Sequence, residues 1–327
     1  MAKVKFGLIG AGGMASSVHY PSLAEFPDVE LAGLCDFVEE KRKALAAKLD
    51  IPRHYADYRQ MLDETQPQAV CIFMPPHQLF DVTLDCLKRG LHVFIEKPPA
   101  VTTFQTQAMA RVAAENRCLT QVGFNRRHDP LLNASLEEAR QRGKIVQVHA
   151  SFFKGASAVY YDGAVDVIGC DAIHAVDTLR YLAGGKVTHV AAVVGQYDSP
   201  VPNAWNAVVS FDNGVVGVFQ SNWQVGGRRH FFEVHSAGYS GYVEQATAMV
   251  ELLRESGARR ERTVADILGA EAAGDMRKSN GFYQQARHFV DCILENRQPS
   301  SHFADAVQTM ELVDALRLGY PTPAQSS

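Results

Sequence analysis

The chain has 327 residues, 46% of them hydrophobic and 21% charged, with a formal charge of −4 at neutral pH. That balance excludes a disordered chain and offers no basic footprint for nucleic acid or an anionic membrane surface. No apolar run approaches the ~20 residues a spanning helix needs, and the length suits two domains better than one.

In chain order, residues 4–9 read as a buried strand followed at once by Gly10-Ala11-Gly12-Gly13-Met14-Ala15 and a helix over 13–25. The first amides of a helix have no internal partner, so a glycine turn placed between strand and helix makes a site for a dinucleotide pyrophosphate. Gly10 allows the tight bend and Gly12 lets the backbone approach the phosphates, with Gly13 and Met14 completing the turn. Ala15 takes the small-residue position where helix meets strand. A second strand over 30–35 ends in Asp36, roughly 20 residues past the turn, where an acid accepts hydrogen bonds from ribose hydroxyls. Asp36 favours NAD because it repels the 2′-phosphate of NADP. Lys41 and Arg42, one helical turn on, keep NADP as the alternative.

Strands near 69–73, 91–95 and 119–123 alternate with helices near 38–49, 57–64, 78–89 and 103–116. This is the spacing of βαβ units, and it predicts an α/β fold with a doubly wound parallel Rossmann sheet in a domain spanning 1–123. Ligands bind beyond the carboxyl ends of such strands. Three loops end there: Met74-Pro75-Pro76-His77, which can lie along the cofactor, Glu96-Lys97-Pro98-Pro99, whose Glu96 and Lys97 are further expected cofactor contacts, and Gly123 to Pro130, containing Asn125 and Arg127. Lys97, placed at the nicotinamide end, can hydrogen-bond a substrate oxygen and stabilise alkoxide character; partial desolvation makes it usable as an acid or base. The plainer reading is a solvated lysine paired with Glu96.

From 124 to 327 the pattern predicts an α+β domain with a large, mostly antiparallel open sheet. Strands are expected over 145–153, 187–195, 207–211, 215–221 and 231–236, with Asp212-Asn213-Gly214 as a hairpin turn. Helices are expected near 129–142, 171–183, 281–295 and 303–318, a mobile loop over 254–280 and a frayed tail after Tyr320. If the segment from Asp166 opens a helix, His174 shares a face with Cys170, Asp171 and Asp177. An adjacent carboxylate fixes an imidazole's orientation and raises its basicity, as proton transfer near neutral pH requires. A core or capping histidine is the plainer reading. Tyr160, Tyr161, Asp162, Trp205 and Trp223-Gln224 stand between substrate contacts and ordinary packing.

Together the Gly10–Ala15 turn, Glu96-Lys97-Pro98, the Gly123–Pro130 segment, His174 to Leu182 and the stretch from Phe282 to Leu318 resemble the glucose–fructose oxidoreductase / inositol dehydrogenase / MocA family. The resemblance implies a Rossmann domain, a second domain whose open sheet is used in homodimer or homotetramer formation, and NAD(P)-linked oxidoreductase chemistry on a sugar, cyclitol or polyol. It implies Lys97 and His174 as catalytic positions and Asn125 near nicotinamide and substrate, with Arg127 and Asp171 as further substrate contacts. The chain departs from the family pattern at Cys170, where an Asp is common four residues before the histidine, and at Leu79, where a His is common. Alternatives are a tightly bound NAD recycled in a net non-redox reaction, such as epimerisation or glycoside cleavage, and a non-catalytic dinucleotide-sensing regulator.

The six cysteines are scattered without a Cys-x-x-Cys pair, so neither a disulfide framework nor a metal site is expected. The first residues run straight into a strand with no room for a signal peptide, and a reduced cytoplasmic setting is expected.

Overall fold

The computed structural model describes residues 3–156 and 158–321. The chain divides into two compact units, the first made of residues up to Phe124 together with Phe282–Val307, the second of Asn125–Gly281 together with Gln308 onward.

In the first unit, β1 (Val4–Ile9), β2 (Val29–Cys35), β3 (His54–Tyr55), β4 (Ala69–Ile72), β5 (His92–Ile95) and β6 (Thr120–Val122) form one sheet in the order β3-β2-β1-β4-β5-β6. Every pair is parallel. This is the doubly wound dinucleotide-binding order, whose switch point lies between β1 and β4. The strands are almost wholly buried because helices cover both faces, which is why they read as continuous apolar runs. The segment after the glycine turn is a π-helical turn, Ala15–His19, that continues into α1 (Tyr20–Ala24). It is followed in order by α2 (Glu39–Lys48), α3 (Tyr58–Thr65), α4 (Leu79–Lys88) and α5 (Thr103–Glu115). A Thr102–Gln105 capping box opens α5. The two-residue β3 escapes sequence reading because it is too short to show a period.

The second unit begins with α6 (Pro130–Arg142), followed by β7 (Ile145–Gly155), the small hairpin β8 (Val159–Tyr160) and β9 (Val165–Asp166), then α7 (Val167–Cys170) and α8 (Ile173–Ala183). Seven strands follow: β10 (Val187–Gly195), β11 (Ala204–Phe211), β12 (Val216–Asn222), β13 (Gln224–Ser236), β14 (Tyr239–Glu244), β15 (Ala248–Leu253) and β16 (Ala258–Thr263). The main sheet has nine strands in the order β16-β15-β14-β13-β7-β12-β11-β10-β17, where β17 is Tyr320–Pro321. Only β12–β7 and β10–β17 pair in parallel. The Asp212-Asn213-Gly214 hairpin joins β11 to β12, with Gly214 at φ +83°. α8 lies against β7 and β12, and α6 against β13 and β14.

Two expectations are corrected. The predicted mobile loop over 254–280 contains β16 and three short helices, α9 (Val264–Leu268), α10 (Ala270–Gly274) and α11 (Met276–Ser279). β16 is an edge strand, so its Arg259-Arg260-Glu261-Arg262 run, which looks like loop in sequence, is what an exposed edge tolerates. Arg260 and Arg262 reach the fully buried carboxylate of Glu251, which also accepts a 2.9 Å hydrogen bond from Tyr239. The second correction concerns α12 (Phe282–Leu294), assigned above to the second domain, which packs in the first unit. Ala286, Phe289 and Val290 join the core with Phe6 and Phe94, and Arg287 pairs with Asp28 at 2.7 Å. Its apolar face completes the sheet's cover, a long-range requirement that no local pattern records. α13 (Phe303–Arg317) closes the helical set. The tail expectation falls mostly on 322–327, outside the described residues.

Among the described residues, no helix is long and apolar enough to cross a membrane, and no cluster of His, Cys, Asp or Glu could hold a metal ion. All six cysteines are buried, and none forms a disulfide.

Candidate active site

In the first unit, Gly10 adopts φ +97°, and a Cβ there would stand 2.3 Å from the Phe73 carbonyl oxygen. Only glycine lets β1 turn this close to the end of β4. Gly12 and Gly13 have nothing within 4 Å of an added Cβ, so their backbone is open to an incoming group. Asp36 sits beneath the turn: one carboxylate oxygen accepts from Ala11 N at 2.7 Å and the other from Val38 N at 2.8 Å. Each oxygen keeps a lone pair for ribose hydroxyls. A cavity of about 690 Å3 is lined by Gly10, Ala11, Gly12, Asp36, Met74 and Pro75 among others. These residues fit a dinucleotide: open glycine amides for phosphate, an acid for ribose and a loop along one wall. Lys41, Tyr58, Arg59 and Gln78 also line it. His77 is exposed and outside that lining, and Met14 is partly exposed beside the turn.

Glu96, expected among the cofactor contacts, is turned into the protein. Its Oε1 accepts from His19 Nε2 at 2.5 Å and its Oε2 from the Lys97 backbone N–H at 2.9 Å. Burial pushes this carboxyl up, but the hydrogen bond and charge of His19, followed by Lys97, outweigh it and hold it below the ordinary value. Lys97 is half-buried directly after β5.

In the second unit, the predicted single helix breaks. α7 ends at Cys170 and α8 starts at Ile173, so Asp171 lies in the turn between them and not on His174's helical face. Its carboxylate pairs with Lys154 and accepts from the Tyr160 hydroxyl at 3.3 Å. Burial and the Asp171 charge push the Tyr160 phenol up, so it remains a donor. His174, 7% exposed, faces the Phe152 ring at 6.4 Å. Phe152 also stacks on Trp223 at 5.8 Å and on His230 at 3.6 Å, and Lys154 Nζ lies 5.7 Å over its ring. His174, Asp171, Lys154 and Tyr160 therefore gather around one aromatic group. Burial, then the nearby Arg126 charge, drives the His230 imidazole down to about 2, so it is neutral at physiological pH.

Asp177 and Arg127 take a different part. Arg127 donates to both oxygens of Asp177, at 2.8 and 2.6 Å, and Thr309 Oγ1 donates to the same carboxylate at 2.9 Å. Both side chains are buried. The carboxylate expected to orient His174 is thus committed to a buried ion pair that anchors α8, and Arg127 is committed with it. Asn125 is also held internally, donating to Asn280 O at 2.8 Å and accepting from Arg126 at 3.1 Å.

Sequence reading overlooked Phe152, Lys154 and His230, yet a signal was present. Val148, Ala150, Phe152 and Lys154 share the inward register of β7, as His230, Phe232 and Val234 do in β13. A cation or imidazole at the end of an apolar register has to be paired, hydrogen-bonded or neutralised where it is buried, which singles it out from the apolar positions before it. Trp205 and Trp223 are both fully buried, and of these two Trp223 stacks on Phe152.

Comparison with known proteins gives the family and the fold. Residues 4–124 match an oxidoreductase family with an NAD-binding Rossmann fold, and residues 135–238 match the GFO/IDH/MocA C-terminal domain. The scyllo-inositol 2-dehydrogenase (NAD+) of Bacillus subtilis is 22% identical, over 98% of this chain and 96% of its own. Among solved structures, a dehydrogenase from Chromobacterium violaceum superposes with a TM-score of 0.87 at 18% identity, over 97% of this chain and 95% of that one. Levoglucosan dehydrogenase, in complex with NADH and levoglucosan, gives 0.82 at 20% identity, over 96% of each chain. At these identities the structural likeness speaks for the fold alone.

Two outcomes follow. Asp177→Asn breaks the buried ion pair with Arg127 and is expected to cost about 3–5 kcal/mol in chemical denaturation; an orienting role for Asp177 would instead lower turnover in a fully stable protein. For His230, the unfolded imidazole takes a proton near pH 6.5 while the folded one does so only near 2. The unfolded state thus binds more protons in that window, and stability is expected to fall as the pH drops below 6.5. His230→Gln should flatten that part of the profile, measured as melting temperature between pH 7 and 4.

Proposed function

Since the chain belongs to the Gfo/Idh/MocA oxidoreductase family and is an NAD-binding dehydrogenase, we propose that it transfers a hydride between nicotinamide and a secondary alcohol or ketone of a sugar, cyclitol or related polyol. One observation carries the substrate class: in the second unit, an aromatic wall of Phe152 and Trp223 carries His174, Lys154, Asp171 and Tyr160 at its edge. Apolar faces of a ring-shaped polyol suit such a wall, and its hydroxyls suit an edge of fixed donors and acceptors. Two relatives fit the reading, one named for scyllo-inositol and one complexed with levoglucosan.

Bound NAD supplies the hydride acceptor. The glycine turn (Gly10, Gly12, Gly13, Met14) holds its phosphates, Asp36 its ribose, and Met74 and Pro75 flank it, with His77 and Asn125 as lesser candidates. For the oxidative direction we assign the taking up of the hydroxyl proton to His174, in the second unit, and the stabilisation of negative charge to Lys97, in the first. Asp171 acts through Lys154 and Tyr160, holding both where they can meet hydroxyl groups. Arg127 and Asp177 fix α8, which bears His174, and reach the substrate only through it. Asp36 with both oxygens held by backbone amides leaves little room for a 2′-phosphate, so NAD is preferred to NADP.

The outer face of the nine-stranded sheet exposes Val193, Val208, Val216 and Leu252. We infer that a second copy of the chain covers it, giving a homodimer or homotetramer. Size-exclusion chromatography with light scattering should then report a multiple of the 35.9 kDa chain, and Val208→Lys should shift it toward monomer.

The main test is a panel of polyols, cyclitols and sugars with NAD and then NADP, followed by absorbance of the reduced cofactor. At least one secondary alcohol should yield NADH, and Lys97→Met should lower its turnover by about 1,000-fold or more with NAD affinity retained. Product without net NADH would instead establish internal recycling of the cofactor. Near-normal turnover in the Met variant removes Lys97 from the chemistry.

A further inference from the structure

The π-helical turn Ala15–His19 lies immediately after the glycine turn. A π turn carries an extra residue relative to α-helix, which rotates the side chains that follow it. Here two large polar residues in succession, His19 and Tyr20, are both fully buried. The Tyr20 hydroxyl donates to the Gly10 carbonyl at 2.8 Å. His19 Nε2 donates to Glu96 Oε1 at 2.5 Å, and Glu96 Oε2 accepts from the Lys97 backbone N–H at 2.9 Å. One turn of helix is thus tied both to the phosphate-binding turn and to the backbone of Lys97.

The surroundings leave this link little freedom. The His19 ring lies 4.4 Å from Phe73 and meets Phe94 and Phe282 edge-on at 5.5 and 5.7 Å. A Cβ at Gly123 would stand 3.2 Å from the Glu96 carboxyl group. An imidazole and a carboxylate in such a cage are costly to bury, and removing either partner leaves the other exposed to the full desolvation penalty. The sites of the turn and of Lys97 are far apart in sequence, and packing against apolar rings would have sufficed to fill the space.

We propose that His19 and Glu96 are positioning residues that set the backbone of Lys97 relative to the phosphate-binding turn. The inference rests on the reading of Lys97 as the catalytic lysine. A lysine has a long, flexible stem, so the direction in which its Cα–Cβ bond leaves the loop decides where its ammonium can reach. Glu96 anchors that Cα through the adjacent N–H, and His19 prevents the carboxylate from rotating away.

His19→Leu removes the donor, and His19→Gln keeps an N–H at nearly the same place. With a polyol turned over by the wild-type protein, the Leu variant should lose about 10- to 100-fold in kcat, the order expected for a misplaced catalytic group. Its NAD dissociation constant should stay within about 3-fold of wild type, since the glycine turn keeps its Tyr20 bond. The Gln variant should recover most of kcat. Equal losses in Leu and Gln variants, or a Leu loss explained wholly by NAD affinity, would overturn the proposal. A crystal structure of the NAD-loaded Leu variant separates this idea from the reaction itself: the Lys97 Cα should shift by about 1 Å. An unmoved Lys97 sinks the positioning role even if no polyol proves to be a substrate. Should the Leu variant fail to fold, Glu96→Gln, whose amide oxygen and N–H cannot serve both donors at once, is read against the same criteria.

Discussion

A charge withdrawn from water needs a counter-charge, a set of hydrogen bonds, or the loss of its ionisation. In this chain that requirement sorts the candidate side chains into those that hold the structure and those available for chemistry. Arg127 and Asp177 satisfy each other within the second unit, with Thr309 as a third member, and so stabilise α8. Glu251 does the same for the sheet edge through Arg260 and Arg262. His230 takes the remaining route and stays neutral, pressed against Phe152. What remains at the edge of the aromatic wall, Lys154 with Asp171 and Tyr160, is a polar set that is only part-buried and can exchange its internal bonds for those of a ligand.

The glycine turn shows how a fold makes a site from backbone alone. Parallel strands in the order β3-β2-β1-β4-β5-β6 bring the ends of β1 and β4 side by side at the switch point. Gly10 then turns against the Phe73 carbonyl, where no Cβ fits, and Asp36 at the end of β2 accepts from Ala11 inside the turn. Each feature was legible, because it depends on neighbours in sequence: apolar strand, glycine, helix, strand, acid. The hairpin at Asp212-Asn213-Gly214 was legible for the same reason.

The parts that were not legible depend on partners distant in the chain. β16 is a run of charges whose only sign of being a strand is its ladder to β15. α12 has the period of any amphipathic helix, and nothing local says that Phe289 joins the core beside Phe6 and Phe94. The family resemblance pointed to Lys97 and His174, but spacing on an assumed continuous helix misplaced Asp171. A break of two residues between α7 and α8 was enough to turn its carboxylate toward Lys154. Asp177 kept its helical position, but its carboxylate is held by the buried Arg127 guanidinium through two charge-assisted bonds.

By itself the sequence determined the two kinds of secondary-structure pattern, the glycine turn between β1 and the first helix, and the acid that follows β2. These follow from local stereochemistry, from hydrophobic period and from residue chemistry, all of which are properties of short segments. Tertiary structure alone decided which acid pairs with which base, that Glu96 turns inward to His19, and that Phe152 and Lys154 stand with His174. Those choices depend on the desolvation of groups brought together across many residues, and desolvation exists only once the chain has folded.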